Sequence, residues 1–381
     1  MRYSSDDILQ IGKRYNNKKR TYVLVNPLQA KHIPVSPTCA EEMMRTLGTQ
    51  VAEKYPETKL VIGFAETATA IGAEIARCLS DQCMYVQTTR ETFPQGEQWI
   101  DFLEEHSHAV EQKLCGDTFA QWLSKSDTVV FVDDEITTGK TLINMVEGLA
   151  ERYPQLKEKK LVAVSIFNRV SEENEKKMTD AGMECTYLIK LPQDDYAELV
   201  EEITVQEADA AAEADVFFAQ DTLCCGKLPD PRCGVAIAAY RRSCEAMADA
   251  FVEKMLPALK HNSRVLVLGT EECMYPALVL GEKLEADARA FKVLCHATTR
   301  SPIGVCSKKN YPIQDGVKLT SFYEKERTTY LYNLNQYDAV IVVSDTPRED
   351  LSVMRQLAAV LNARENTKFF YLQGGNNVWY L

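Results

Sequence analysis

The clearest chemistry lies in Val129-Val130-Phe131-Val132-Asp133-Asp134-Glu135-Ile136-Thr137-Thr138-Gly139-Lys140-Thr141. Apolar residues lead into adjacent carboxylates, and a run of hydroxyls, a glycine and a lysine follows. Leu142, Ile143, Met145, Val146 and Leu149 then recur at helical spacing, so the stretch reads as strand, loop and helix. A phosphate needs N–H and O–H donors at a helix N-terminus, where the aligned peptide dipoles favour negative charge. Thr137, Thr138, Gly139, Lys140 and Thr141 can supply them as a backbone nest, with Gly139 letting the chain turn close to the anion. Asp133 and Asp134 stand where acceptors for vicinal hydroxyls, or ligands near a divalent cation, are needed.

A nucleoside-triphosphate loop is the rival reading, because Thr138-Gly139-Lys140-Thr141 ends like one. That motif requires a glycine five positions before Gly139, and Asp134 stands there. Carboxylates inside a triphosphate cradle would repel the ligand. A plain structural turn is the other alternative, but adjacent aspartates at the end of a buried strand are costly without a partner.

These residues need a sheet to hold them. Strands are predicted at Tyr22–Val25, Leu60–Phe64, Met84–Gln87, Val129–Val132, Leu161–Phe167 and Thr186–Leu191, with a helix over about Cys39–Lys54 and another inside Ala65–Leu79. Strands alternating with helices imply an α/β fold with a mostly parallel sheet. Residues 201–231 are acidic and alanine-rich and end in Cys-Cys-Gly and Pro-Asp-Pro, which reads as a helix plus linker. The expected domains are therefore 1–200 and 232–381, with 201–231 between them.

The second domain echoes the first. Leu60–Thr67 leads through a helix to Thr88-Thr89-Arg90, and Val265–Glu272 leads through a helix to Thr298-Thr299-Arg300. Phe102-Leu103-Glu104-Glu105 is matched by Phe322-Tyr323-Glu324-Lys325, and Val129–Asp134 by Val340–Asp345. We read a degenerate duplication whose second copy has lost the phosphate loop, since Thr346-Pro347-Arg348-Glu349-Asp350 lacks the glycine and the hydroxyl run.

A chain of 381 residues exceeds one ordinary domain. Its formal charge of -12 argues against nucleic acid as a partner. Twelve scattered cysteines without a C-x-x-C pair, in a chain that begins with polar and charged residues, read as reduced thiols of a cytoplasmic protein. No apolar run approaches the roughly 18 residues that a membrane span needs.

The Asp133–Thr141 stretch resembles the PRPP-binding signature of type I phosphoribosyltransferases. With Lys31-His32-Ile33-Pro34-Val35, Gly63–Thr69, Thr88-Thr89-Arg90, Glu104–His108, Leu268–Glu272, Thr298–Ile303 and Tyr330–Asn333, nearly the whole chain resembles a phosphoribosyltransferase with a C-terminal TRSP domain, of the kind found in tellurite-resistance (Ter) gene neighbourhoods. The resemblance implies a transferase that moves the phosphoribosyl group of PRPP, with Mg²⁺, to a nucleobase-like or other small acceptor and releases pyrophosphate. A PRPP-responsive regulatory module without turnover is the alternative. PRPP synthesis would require an ATP-binding apparatus that the sequence does not display. PRPP and a small-molecule acceptor are the expected partners, nucleic acid and membrane are not, and a homodimer is left open.

The same resemblance assigns roles. Asp133 and Asp134 would hold ribose and metal, and Thr137–Thr141 the 5'-phosphate. Ala65, Glu66 and Thr67 would form the pyrophosphate loop, although Glu66 would repel pyrophosphate unless it faces a metal or the acceptor. Arg90 would clamp phosphate oxygens from a closing loop. Glu105, His106 and His108 would serve as acid or base, with a metal site or a solvated face as the alternatives. Lys31, His32, Glu271 and Arg300 are acceptor-side candidates, with a plain structural role open for Lys31 and His32. Thr137 stands where enzymes acting on 6-oxopurines carry Asp, which argues against hypoxanthine or guanine as acceptor.

Overall fold

In the computed structural model, the described residues are 3–17, 20–92, 98–103, 110–193, 196–257, 259–289, 291–365 and 368–381. The chain divides into two compact units: Met1–Tyr3, Glu42–Gln193 and Pro229–Arg241 form one, and Ser4–Glu41, Asp194–Leu228 and Arg242–Leu381 the other. The expected division kept the first 200 residues together, whereas Ser4–Glu41 contacts the C-terminal unit.

The first unit is built on a six-stranded sheet in the order Val235–Ala236, Met84–Gln87, Leu60–Gly63, Thr128–Ile136, Lys160–Asn168, Met183–Lys190. All neighbours are parallel except the Val235–Ala236 edge. Strands buried on both faces read as continuous apolar runs, as Val129–Val132 does. The helix Lys140–Arg152 buries Leu142, Met145, Val146 and Leu149 against one face, in a cluster with Leu60, Ile62, Phe131 and Leu161. Its 3.6-residue apolar spacing therefore anchors the loop that precedes it.

The second unit repeats this plan. Its order is Lys292–Ala297, Arg264–Gly269, Ala339–Ser344, Phe369–Gln373, with Asn377–Tyr380 and Ala219–Thr222 added antiparallel at the far edge. Without the antiparallel strands the order second, first, third, fourth is common to both sheets, and the first sheet adds Met183–Lys190 as a fifth parallel strand. The registers agree too, because Gly63 faces Val132 and Gly269 faces Val343. Each sheet has a hairpin after its second strand, Trp99–Leu103 with Val110–Cys115 and Gly316–Thr320 with Thr328–Tyr332.

Hydrogen bonds at the strand ends match one for one. Thr88 N donates to Gly63 O and Thr298 N to Gly269 O, at 2.9 and 3.0 Å. Thr89 exchanges two backbone bonds with Lys113, as Thr299 does with Tyr330. The duplication read from sequence is thus a duplication of fold.

Two expectations need correction. Residues 201–231 hold no helix beyond the end of Ala197–Glu201; instead Asp209–Ala210 pairs with the hairpin strand Gly316–Thr320, and Ala219–Thr222 forms a sheet edge. Like charges at helical spacing, such as Asp209 and Glu213, oppose a helix, while Val216 and Phe218 alternate at strand spacing and pack on the second core. The long segment after Thr88 also holds more order than its composition suggests: besides the hairpin it contains the helix Gly116–Leu123. All twelve cysteines are unbridged. Among the described residues no helix is long and apolar enough to cross a membrane.

One buried group makes this fold sensitive to pH. His296, 2% exposed, has Nε2 at 2.7 Å from Tyr332 O, a geometry in which a neutral ring donates. Burial first, then the Lys31 charge, pull its pKa down from 6.5 to about 4. The unfolded chain therefore takes up a proton between these values and the folded one does not. Stability present above pH 6.5 should fall as the pH drops toward 4, by on the order of 3 kcal/mol. Urea denaturation at pH 7 and pH 4.5 should show this loss, and His296→Gln should remove most of the difference.

Candidate functional site

The site of the first unit forms where three strand ends meet. The strand Thr128–Ile136 carries Asp133, Asp134 and Glu135 on its last turns of backbone. Glu135 is matched by Arg169, 3.5 Å away, both being nearly buried. Asp133 and Asp134 have no such ion pair with any described basic side chain. Instead Asp134 N donates to Asp133 Oδ1 at 2.9 Å, and the Thr67 hydroxyl donates to Asp134 Oδ1 at 2.7 Å. Burial, reinforced by the neighbouring Asp134 charge, raises the Asp133 pKa well above the ordinary carboxylate range. This is a pair of carboxylates short of positive charge.

Below it, Thr137 and Thr138 are exposed and Gly139 takes a left-handed φ of 73° as the N-cap of the helix Lys140–Arg152. Gly139 offers no side-chain cap and the Thr138 hydroxyl accepts from Lys140 N at a long 3.4 Å, so the helix start presents N–H and O–H groups of the kind that suit an anion. Lys140 and Thr141 are exposed at its start.

The loop after Gly63 faces the carboxylates. Phe64 N donates to Val132 O, and Ala65 N to Thr88 Oγ1, both at 2.9 Å. The Ala65–Glu66 peptide is cis. Gln112 donates from Nε2 to Ala65 O at 2.6 Å and bonds the Thr88 hydroxyl through Oε1. Glu66 is 8% exposed within this loop, and Arg90 is exposed just beyond Thr88-Thr89. The structure thus brings together Ala65, Glu66, Thr67, Asp133, Asp134 and Thr137–Thr141 as elements of one rim. Glu105, His106 and His108 lie outside the described residues.

Lys31, His32, Glu271 and Arg300 gather in the second unit. Lys31 is fully buried and donates to Glu271 O and Thr298 O at 2.8 and 3.0 Å. His32 is 4% exposed, and its carbonyl accepts from Asn333. The Glu271 carboxylate accepts from Ser321 and Arg327, and Arg300 donates to Glu272. Through these contacts Lys31 and Glu271 tie the loop after Gly269 to the rest of this unit, the structural role that was left open for Lys31.

Sequence reasoning missed Gln112 and Arg169. Gln112 lies on a hairpin strand far from the motif in sequence, and only the hairpin's pairing across Thr89 brings it to Ala65. Arg169 follows a strand whose neighbour carries Glu135, a register no local pattern reveals.

Residues 8–193 match a family model described as phosphoribosyl transferase, and residues 231–361 one described as the TRSP domain C-terminal to it. The chain belongs to this phosphoribosyltransferase family. Among solved structures, the adenine phosphoribosyltransferase of Giardia lamblia complexed with 9-deazaadenine is similar at 15% identity, over 49% of this chain and 96% of that one, with a TM-score of 0.36. The Saccharomyces cerevisiae adenine phosphoribosyltransferase is similar at 15% identity over 48% and 94%, with a TM-score of 0.32. A hypothetical protein from Neisseria gonorrhoeae with bound ppGpp is similar at 15% identity over 43% and 85%, with a TM-score of 0.27. No curated protein matches the chain.

Within this phosphoribosyltransferase, Gly139 offers a sharp test of the loop. A Cβ there would approach Met178 Sδ to 2.4 Å, on a backbone that L-residues rarely adopt. Gly139→Ala should cost about 1–3 kcal/mol in denaturant unfolding. Met178 is itself fully buried, so Met178→Ala carries its own cavity cost; in a double-mutant cycle the two single losses should sum to more than the loss in the double variant, the difference being the collision part.

Proposed function

We propose that the first unit binds PRPP with Mg²⁺ and transfers its phosphoribosyl group to a small, nucleobase-like acceptor, releasing pyrophosphate. The observation that carries this reading is the placement of two partly buried carboxylates, with no ion pair to any described basic side chain, one short loop before a helix whose N-cap is a left-handed glycine. The spacing suits a ribose phosphate: hydroxyls to Asp133 and Asp134, phosphate to the Thr137–Thr141 loop.

Mg²⁺ retains several waters and is commonly held by one or two carboxylates together with substrate phosphates. Asp133 and Asp134 fit that description: they are adjacent, no described basic side chain pairs with either, and a cation would favour the charged form that burial disfavours at Asp133. No three metal-ligating side chains converge among the described residues, which agrees with a cation that arrives with its substrate. When bound, the ion would neutralise charge on the substrate oxygens.

The chain's own residues do the rest by positioning and charge. The helix start fixes the phosphate end, and Asp133 and Asp134 fix the ribose by accepting from its hydroxyls. Both ends held, the anomeric carbon keeps one orientation while its bond to pyrophosphate breaks and positive charge develops on the ring. Thr67 orients Asp134 through its hydroxyl. Thr88 and Gln112 hold the Ala65–Thr67 loop in shape for the departing anion. Arg90 stands at the rim, where a guanidinium can take up charge as pyrophosphate leaves.

Charge-neutralising both aspartates removes ribose and metal contacts together. The Asp133→Asn, Asp134→Asn double variant should weaken PRPP–Mg²⁺ binding by at least tenfold in calorimetry, since charge-assisted bonds are each worth about 1.5–3 kcal/mol. Unchanged affinity would reject the site. Arg90→Ala should lower kcat by more than it weakens PRPP affinity, as expected of a group that acts on the leaving anion. Release of pyrophosphate in the presence of candidate acceptors separates a transferase from a PRPP-responsive binding module.

A further inference from the structure

The second repeat ends its strands as the first does, and the correspondence can be carried residue by residue. Ala65 N donates to Thr88 Oγ1 and Glu271 N donates to Thr298 Oγ1, at 2.9 and 3.0 Å. Glu91 N donates to Thr89 Oγ1 and Ser301 N to Thr299 Oγ1. Glu271 therefore stands in the position of Ala65, Glu272 in that of Glu66, and Arg300 in that of Arg90. A methyl group in the first loop is replaced by a carboxylate in the second.

These carboxylates are not at the surface. Glu271 and Glu272 have fully buried side chains, while Arg300 and Arg327 keep 14% and 20% of theirs exposed. Glu271 Oε1 accepts from the Ser321 hydroxyl at 2.6 Å, and Oε2 from Arg327 at 2.9 Å with Arg300 Nε at 3.6 Å. Glu272 Oε1 accepts from Arg300 at 2.8 Å. Lys31 pins the loop by donating to Glu271 O. Burying two carboxylates is expensive unless each is met by charge and hydrogen bonds, and here both are. The contacts they receive come from Arg300, beyond the carboxyl end of a parallel strand, and from Ser321 and Arg327 in the turn of the neighbouring hairpin; guanidinium and hydroxyl donors of this kind are also what a phosphate group takes.

We propose that the second repeat is a phosphate-type anion site plugged from within. Glu271 and Glu272 occupy the Arg300 and Arg327 guanidiniums in place of a ligand, and this intramolecular ion pairing keeps the site shut. The second unit is then silent toward phosphate ligands because Arg300 and the Arg327 Nη2 are already held by carboxylates, and not only because its phosphate loop has decayed. Withdrawing the Glu272 carboxylate takes from Arg300 its 2.8 Å partner and leaves it the longer 3.6 Å approach to Glu271 Oε2.

Inorganic pyrophosphate is the probe, titrated into the full-length protein and the Glu272→Gln variant by calorimetry at low salt. The readout is the number of sites. Glu272→Gln should bind one pyrophosphate more than the unsubstituted protein, and adding Arg300→Gln to that variant should remove the gained site. Because the measure is an increment, it is independent of the function proposed for the first unit. If that function fails, the unsubstituted protein binds none and the variant one; if it holds, the counts are one and two. An unchanged count in a variant with a cooperative thermal melt overturns the plug. If Glu272→Gln lacks a cooperative melt, Glu272→Ala, which also withdraws the carboxylate, is titrated in its place against the same criterion.

Discussion

A threonine hydroxyl at the end of the second core strand organises both halves of this protein. Thr88 and Thr298 each accept the backbone N–H of the loop that leaves the first core strand. Buried N–H groups seldom go unpaired, so a loop that abandons its sheet at this point needs a partner close by. The threonine provides one without a regular ladder. It holds the loop against the neighbouring strand end, where the carboxylates of the third strand begin. Thr67 then reaches Asp134 in the first unit, and Thr270 reaches Ser344 in the second. The same arrangement supports a ligand rim in one copy and an internal ion-pair network in the other.

The two copies differ chiefly in how charge is balanced. In the first, Arg169 answers Glu135, and the next carboxylates along the strand are left facing a hydroxyl and each other. Such a pair is costly while empty and favourable once a cation and hydroxyls arrive, which is what a binding site requires. In the second, guanidiniums answer Glu271 and Glu272, and Tyr323 and Thr270 satisfy Asp345 and Ser344. A network in which each carboxylate is met by donors stiffens a fold but offers little to a ligand. The two copies of one fold thus end their strands with charge balanced in different ways.

Much of the first site was legible in the sequence. Val129–Thr141 announces strand, carboxylates, loop and helix through local properties: apolar continuity, residue type and helical spacing. The duplication was legible because Thr-Thr-Arg recurs after corresponding strands. The fate of 201–231 was not, because alanine content suggested a helix whereas sheet edges elsewhere in the second unit supplied its backbone partners. Nor was the association of Ser4–Glu41 with the C-terminal unit, since Lys31 meets Glu271 and Thr298 across more than two hundred residues.

The sequence by itself determined the α/β class, the phosphate loop, the carboxylate pair and the loss of that loop in the second copy. Each is encoded within about fifteen consecutive residues, where backbone geometry links residue type directly to position. Tertiary structure alone decided which charges are neutralised. Whether Glu135, Asp134 or Glu271 has a basic partner depends on strand register and on hairpins that return from distant parts of the chain. Coulomb energy depends on separation in space and on burial, and neither is a local property of the sequence.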